Sequence, residues 1–208
     1  MNKLHYYQLS LEEIAKIKAL PYKPKLLLHA CCAPCSCFPL TFLHEHFQIT
    51  IYYNNSNIYP QTEYQIRLEE LKKYLHDYYP DIAIIVPTYD HDNYIKDLAP
   101  FAHLPEGQQR CFLCYTKRMD EAYAYASQHG FAYFTTVMSV SRQKNSLKLN
   151  EIGEALSKKY PNVKYFYSDF KKKDGFLIGN NMAKALNMYR QKYCGCEYSM
   201  PKEENDHE

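Results

Sequence analysis

The chain has 208 residues, 46% of them hydrophobic and 23% charged, with a formal net charge of +2. That composition suits an ordinary soluble globular protein, contains no run near the ~20 apolar residues of a membrane span, and is too weakly basic to announce a polyanion partner. No apolar secretion segment opens the sequence, so a cytoplasmic protein is expected, and a reducing compartment turns its eight cysteines toward metal, cluster or redox chemistry rather than a disulfide framework.

In chain order, residues 11–20 predict a short leading helix ended by Pro21 and Pro24. The apolar run from Lys25 to Ala30 predicts a strand buried on both faces. It delivers Cys31, Cys32, Cys35 and Cys37 at its carboxyl end, with Pro34 forcing the strand to stop. In an open α/β sheet that edge is where ligands bind. Residues 38–47 predict a helix and residues 48–53 a β-branched and aromatic strand, followed by the turn formers Asn54, Asn55, Ser56 and Asn57. Residues 61–78 predict an amphipathic helix, with Tyr64, Leu68, Leu71 and Leu75 on the apolar stripe. Glu63/Arg67 and Glu69/Lys73 are expected as i,i+4 ion pairs on its other surface.

Residues 81–86 predict a third strand, and a helix-like stretch reaches about residue 102. Cys111 and Cys114 then open a helix that runs to His129 and is capped by Gly130. A fourth strand over 131–138, a helix over 147–160, a fifth strand over 163–170 and a helix over 178–192 lead to Cys194-Gly195-Cys196 and an acidic tail at 200–208. Parallel strands need crossover helices, so this alternation predicts an α/β protein with a Rossmann-like three-layer fold. Its sheet would be mainly parallel and five-stranded with helices on both faces, built as one domain over 1–208. The 22 tyrosines, in a chain without tryptophan, read mostly as core and half-buried strand residues, with a few as platforms for bases.

The C-x-x-C of Cys111 and Cys114 lies at a helix start, where free N–H groups and the helix dipole favour thiolates. Together with the adjacent Cys31 and Cys32 it gives four thiolates. Consecutive side chains diverge, which suits separate corners of an iron–sulfur cluster better than one zinc ion. Cys37, beside Phe38, reads as a packed thiol. Cys194 and Cys196 flank a glycine, a spacing that permits a strained and reducible disulfide acting as an electron relay; extra metal ligands or an exposed pair fit the same spacing. The stretch Ser141-Arg142-Gln143-Lys144-Asn145, the run Lys171-Lys172-Lys173, and Tyr189, Arg190, Lys192 and Tyr193 make a basic rim with interleaved aromatics.

Several blocks together carry a family resemblance. They are Leu28 to Cys35, Tyr53 to Ile58 with Glu63 to Arg67, Arg110 to Tyr115, Asp169 to Lys171, and Tyr189 to Ser199. In this order they resemble the QueH family of epoxyqueuosine reductases over about residues 25–199, leaving 1–24 as a leading segment. The resemblance implies cobalamin-independent reductive removal of the epoxide oxygen of epoxyqueuosine at the tRNA wobble position, the last step of queuosine synthesis. It gives Cys31, Cys32, Cys111 and Cys114 the [4Fe-4S] ligand role, and Cys194 and Cys196 the role of a redox-active disulfide. It also implies one mononuclear metal ion, iron or zinc, beside the cluster, for which Cys35 stands as a candidate ligand, and it implies an electron donor as partner. His29, Asp92 and Tyr115 are candidate proton donors. Two other readings stay open. One is a tRNA-binding sulfur-transfer or nucleotide-activating enzyme, which would need a glycine-rich loop where residues 31–37 hold no glycine; the other is a zinc-stabilised binding module.

Overall fold

Three consecutive leucines fit a strand only if both of its faces are covered, because successive side chains point to opposite sides of the sheet. In the computed structural model, which describes residues 5–200, β1 (Lys25–His29) meets that condition. Leu26 and Leu28 enter one apolar cluster and Leu27 the other, all three fully buried. The first cluster collects α1 (His5–Lys18), α2 (Ala33–Leu43), α3 (Gln61–Tyr78) and α7 (Gly175–Ala185) on one face. The second collects α5 (Gln109–Gln128) and α6 (Ser146–Lys159) on the other. The remaining strands are β2 (Gln48–Tyr52), β3 (Ala83–Ile85), β4 (Tyr133–Thr136) and β5 (Lys164–Tyr165). They complete one sheet in the order β3-β2-β1-β4-β5, parallel at every pairing. The expected three-layer α/β architecture is present.

Strand order reverses at β1, whose neighbours are β2 on one side and β4 on the other. Loops leaving β1 and β4 therefore diverge and open a crevice at their carboxyl ends. Residues 31–37 leave β1 into that crevice.

Several element boundaries differ from the sequence expectation, four of them for a local reason that can be named. The helix expected over 38–47 starts at Ala33, with Pro34 in its first turn where a missing N–H costs nothing, and it carries Pro39 inside. The strand expected over 163–170 keeps only Lys164–Tyr165, because Ser168 N–H donates to the Asn150 side chain (3.0 Å) and Phe170 N–H to Ser139 Oγ (3.4 Å). The fourth strand ends at Thr136, whose Oγ1 accepts from Met138 N–H and starts a 3₁₀ turn over Val137–Val140. The last helix stops at Ala185, and Asn187 adopts a left-handed φ of 49°. This last difference matters for function, since it frees residues 188–196 to fold across the strand ends. The leading helix begins at His5 rather than residue 11. The acidic tail from residue 201 onward lies outside the described residues.

Candidate functional site

Cys31 and Cys32 occupy the turn between β1 and α2, with Cys32 as an extended N-cap (φ −172°) and Ser36 Oγ donating back to its carbonyl at 2.9 Å. Because α2 starts at Ala33, Cys35 lies in its first turn and comes back beside the pair. The three sulfurs of Cys31, Cys32 and Cys35 lie within 4.8 Å of one another, the only group of three or more Cys, His, Asp or Glu side chains so placed among the described residues. Hydrogen bonds from Cys32 and Cys35 lower the Cys31 pKa well below that of an ordinary thiol. Their bonds to Cys31, followed by burial, push Cys32 up to about 12 and raise Cys35 as well. The trio thus concentrates negative charge on Cys31, at a helix N-terminus that favours it. Cys37 points elsewhere, against Ala33 O and Met188 Sδ (3.6 Å), and burial pushes its thiol up to about 11. It is a packed core residue.

The second pair stands on α5. Cys111 Sγ accepts the Gly107 N–H at 3.2 Å, and burial raises its pKa. Cys114 is buried, and the Tyr94 hydroxyl reaches both its Sγ (3.3 Å) and its carbonyl oxygen (3.0 Å). These two sulfurs are not part of the tight trio. The link between the groups is Arg118, one turn further along α5, whose charge is felt by Cys114, Cys31 and Cys194. The loop after β2 ties this arrangement together: Asn55 donates to Ala30 O (2.8 Å) and accepts from Arg118 Nη1 (3.1 Å), while Asn54 donates to Arg118 O (2.9 Å).

Between these walls is a cavity of about 290 Å³, lined among others by Cys31, Cys35, Cys194, Arg118, Lys144 and Gln191. Gln191 also reaches Cys32 Sγ at 3.4 Å. Cys194 and Cys196 are half-buried and unlinked, as are all eight cysteines to one another, and burial pushes the Cys196 thiol up to about 12. Burial opposes the charges of Arg118 and Lys144. In both cases neighbouring acidic groups outweigh it: Cys114, Tyr94 and Cys31 for the guanidinium, Cys194, Cys31 and Cys35 for the ammonium, and both pKa values stay above their usual ranges.

The donor set fits a thiolate-ligated metal group. Among the described residues neither Arg118 nor Lys144 has a carboxylate partner, and the acidic groups around them are cysteines with the phenols of Tyr94 and Tyr115. A multiply thiolate-ligated iron–sulfur centre is anionic, and cations unpaired with carboxylates suit it. The cavity wall also holds two buried polar atoms without partners, Arg118 Nε and Asn57 Oδ1. Such atoms are costly unless a ligand satisfies them.

None of the three candidate proton donors lines this cavity. His29 is fully buried beneath Thr136 (2.7 Å), and burial depresses its pKa to about 3, so it is neutral. Tyr115 is buried with its pKa raised by desolvation. Asp92 faces a separate hollow with Tyr59, Tyr89 and His91. Of the basic rim, Ser141, Gln143, Lys144, Lys192 and Tyr193 line the cavity, and Arg190 lines an adjoining hollow beyond Cys35. Lys171 is tied to Ser139 O (3.1 Å) and Asp169 (2.9 Å) instead. The Glu63/Arg67 pair, expected on the outer surface of α3, is buried, and Glu69 pairs with Lys72 rather than Lys73. Arg118 went unread in the sequence, although its position seven residues after Cys111 puts it on the same helix face.

The family model described as epoxyqueuosine reductase QueH matches residues 26–202. Among curated proteins, the epoxyqueuosine reductase QueH of Streptococcus pyogenes is 33% identical over 203 residues, covering 95% of this chain and 79% of that protein. That of Staphylococcus aureus is 34% identical, covering 95% and 85%. That of Haemophilus influenzae is 36% identical over 177 residues, covering 85% and 71%.

Proposed function

The chain belongs to the epoxyqueuosine reductase QueH family, and we propose that its cysteine-lined cavity receives the epoxide of an epoxyqueuosine nucleotide at the tRNA wobble position and reduces it to the alkene of queuosine. The observation that carries this reading is the Cys31/Cys32/Cys35 sulfur trio beside a cavity that Cys194 also lines. Opening and deoxygenating an epoxide consumes two electrons and two protons and releases one water. Closing a disulfide between Cys194 and Cys196 supplies the same two electrons and two protons. An external electron donor must then return the pair to the dithiol.

In this reading Cys31, Cys32, Cys111 and Cys114 hold one [4Fe-4S] cluster, and Cys35 is left as a ligand for one further ion, iron or zinc. When bound, these groups supply electron transfer and Lewis acidity without cobalamin. The chain's own residues do the rest. Lys144 brings an ammonium to the cavity, where the departing oxygen develops negative charge. Arg118 offers its unpartnered Nε–H from the wall, and Gln191 orients Cys32. The bulk of tRNA stays outside, against Arg190 and Lys192.

The test is anaerobic and cobalamin-free. Reconstituted protein, dithionite and tRNA containing epoxyqueuosine are expected to yield a nucleoside lighter by one oxygen atom on mass analysis of the digest. An unchanged nucleoside, from protein carrying full iron and sulfide, removes the assignment.

Of the basic residues, we take Arg190 and Lys192 rather than Lys171 as the tRNA contacts. An Arg190→Ala/Lys192→Ala variant is expected to weaken tRNA binding and flatten the salt dependence, by a slope of about 0.7–0.9 per lost phosphate contact. Lys171→Ala is expected to change neither, because its ammonium is already engaged by Ser139 and Asp169. Filter binding across a salt series checks both; a wild-type slope in the Arg190/Lys192 variant removes those two residues from the interface.

A further inference from the structure

Residues 188–196 carry both cysteines of the Cys-Gly-Cys sequence without a helix or strand of their own. One buried side chain on a neighbouring helix supplies much of their anchorage. Arg67 of α3 is 2% exposed, and its Nε donates to Glu63 Oε1 at 2.7 Å. Its two terminal nitrogens turn to the loop: Nη1 donates to Cys194 O at 3.1 Å and Nη2 to Tyr193 O at 3.3 Å, with the guanidinium 5.6 Å from the Tyr193 ring centroid. The second oxygen of Glu63 accepts from the Tyr189 hydroxyl at 2.6 Å, and Glu70 accepts from the Tyr189 N–H at 3.1 Å. Gly195 O takes the Tyr59 N–H at 2.8 Å. Gly195 itself has φ +108°, and a Cβ there would lie 2.9 Å from Arg67 Nη1. Only glycine lets the loop pass so close to the guanidinium.

A solvent-exposed Glu63–Arg67 pair would support α3 equally well as a helix. Burying it costs desolvation of two charges, and replacing such pairs with apolar residues is commonly neutral or stabilising. The burial therefore calls for a role beyond helix stability, and the donors are spent on the two carbonyls that lead into Cys194 and Gly195.

We infer that Arg67, oriented by Glu63, is a positioning residue that fixes the backbone on which Cys194 and Cys196 exchange dithiol for disulfide, and thereby sets the redox equilibrium of that pair. This rests on the redox role proposed above for the two cysteines. The planar fork is what the site requires, since it reaches two successive carbonyls while its third nitrogen stays on Glu63; an ammonium at the same charge cannot match that geometry. Holding the backbone in place lowers the ordering cost of bringing the two sulfurs together, so its loss shifts the pair toward the dithiol.

The experiment equilibrates the reconstituted full chain, without air, in graded mixtures of reduced and oxidised dithiothreitol. The protein pair gives up two electrons and two protons as its S–S bond forms, and the oxidised reagent takes up both. Free thiols are then alkylated, and the Cys194–Cys196 disulfide is measured by peptide mass analysis. Arg67→Lys and Arg67→Met are expected to lower the equilibrium constant for disulfide formation by about tenfold or more, equivalent to about 30 mV for a two-electron couple. Iron, sulfide and circular dichroism are expected to stay at wild-type values. Glu63→Gln keeps the packing and one acceptor for Nε, and is expected to shift the constant less in the same direction; it serves as the test if the Arg67 variants fail to fold. A wild-type constant in folded Arg67→Lys, or in Glu63→Gln where only that variant folds, overturns the inference. If the wild-type protein forms no Cys194–Cys196 disulfide at any mixture, the redox role itself falls and takes the inference with it, a result recognisable without any Arg67 variant.

Discussion

Serine in place of Cys31, Cys32, Cys111 or Cys114 is expected to strip most of the iron and acid-labile sulfide from anaerobically reconstituted protein and to abolish epoxide reduction. Serine in place of Cys35 is expected to leave sulfide near the wild-type level. The reasoning starts from two facts that pull apart. The compact sulfur group is Cys31, Cys32 and Cys35, whereas the proposed cluster takes two of those three and reaches across to α5 for Cys111 and Cys114. Three thiolates within 4.8 Å are a competent mononuclear site by themselves, and such a site would leave α5 without a ligand role.

Charge favours the larger arrangement. Arg118 and Lys144 bring two positive charges without a carboxylate partner among the described residues, and Arg118 lies within electrostatic reach of Cys114 and Tyr94 as well as Cys31. A single ion on the trio would leave the α5 sulfurs without a metal and Arg118 without the anionic charge that a cluster would bring beside it. Sulfide analysis separates the two arrangements, because only a cluster contains inorganic sulfide. Iron without sulfide in the wild-type protein would return the metal to the trio alone, and full iron and sulfide in both Cys111→Ser and Cys114→Ser would remove α5 from the cluster's ligand set. Loss of sulfide in Cys35→Ser would move Cys35 into the cluster's own ligand set.

The sheet and the place of the site could be read in advance because both depend on short-range patterns. Leu26, Leu27 and Leu28 in succession require cover on two faces, Pro34 ends the strand, and the cysteines follow at once. The C-x-x-C could be placed at a helix start for the same reason. What stayed hidden depends on tertiary direction. Glu63 and Arg67 have the spacing of a surface ion pair, and nothing in residues 61–78 says that the Cys-Gly-Cys segment, some 130 residues later, will lie over them. Arg118 is one of several charged residues along α5, and only the fold brings it within electrostatic reach of Cys114, Cys31 and Cys194. His29 misleads in the opposite sense: a histidine next to a cysteine pair suggests proton transfer, yet it ends a central strand under Thr136 and burial keeps it neutral. Lys144 was visible as a basic loop residue but not as a cavity residue, because loop path is set by packing rather than by composition.

Alanine at both Cys194 and Cys196 is expected to lower multiple-turnover reduction by at least about a hundredfold while leaving iron content, tRNA affinity and melting behaviour near wild type. A structural disulfide would behave differently. The ring between residues two apart is too small to restrict the unfolded chain much, so its loss should cost little stability even if the bond forms. The surrounding loop does not depend on sulfur for its path, since Arg67, Tyr59 and Glu70 hold its backbone through Cys194 O, Tyr193 O, Gly195 O and Tyr189 N–H. The fold should therefore tolerate the double variant, which makes a catalytic defect interpretable. Cys194 lines the cavity and Cys196 stands near Cys114 and Arg110, so the pair spans from the cavity toward the α5 sulfurs, which is the path the proposed carrier role requires. Single-turnover and multiple-turnover assays with dithionite separate the roles. A carrier defect leaves partial conversion in one turnover and stops after it. Sustained wild-type turnover by the double variant would show that electrons reach the epoxide without this pair.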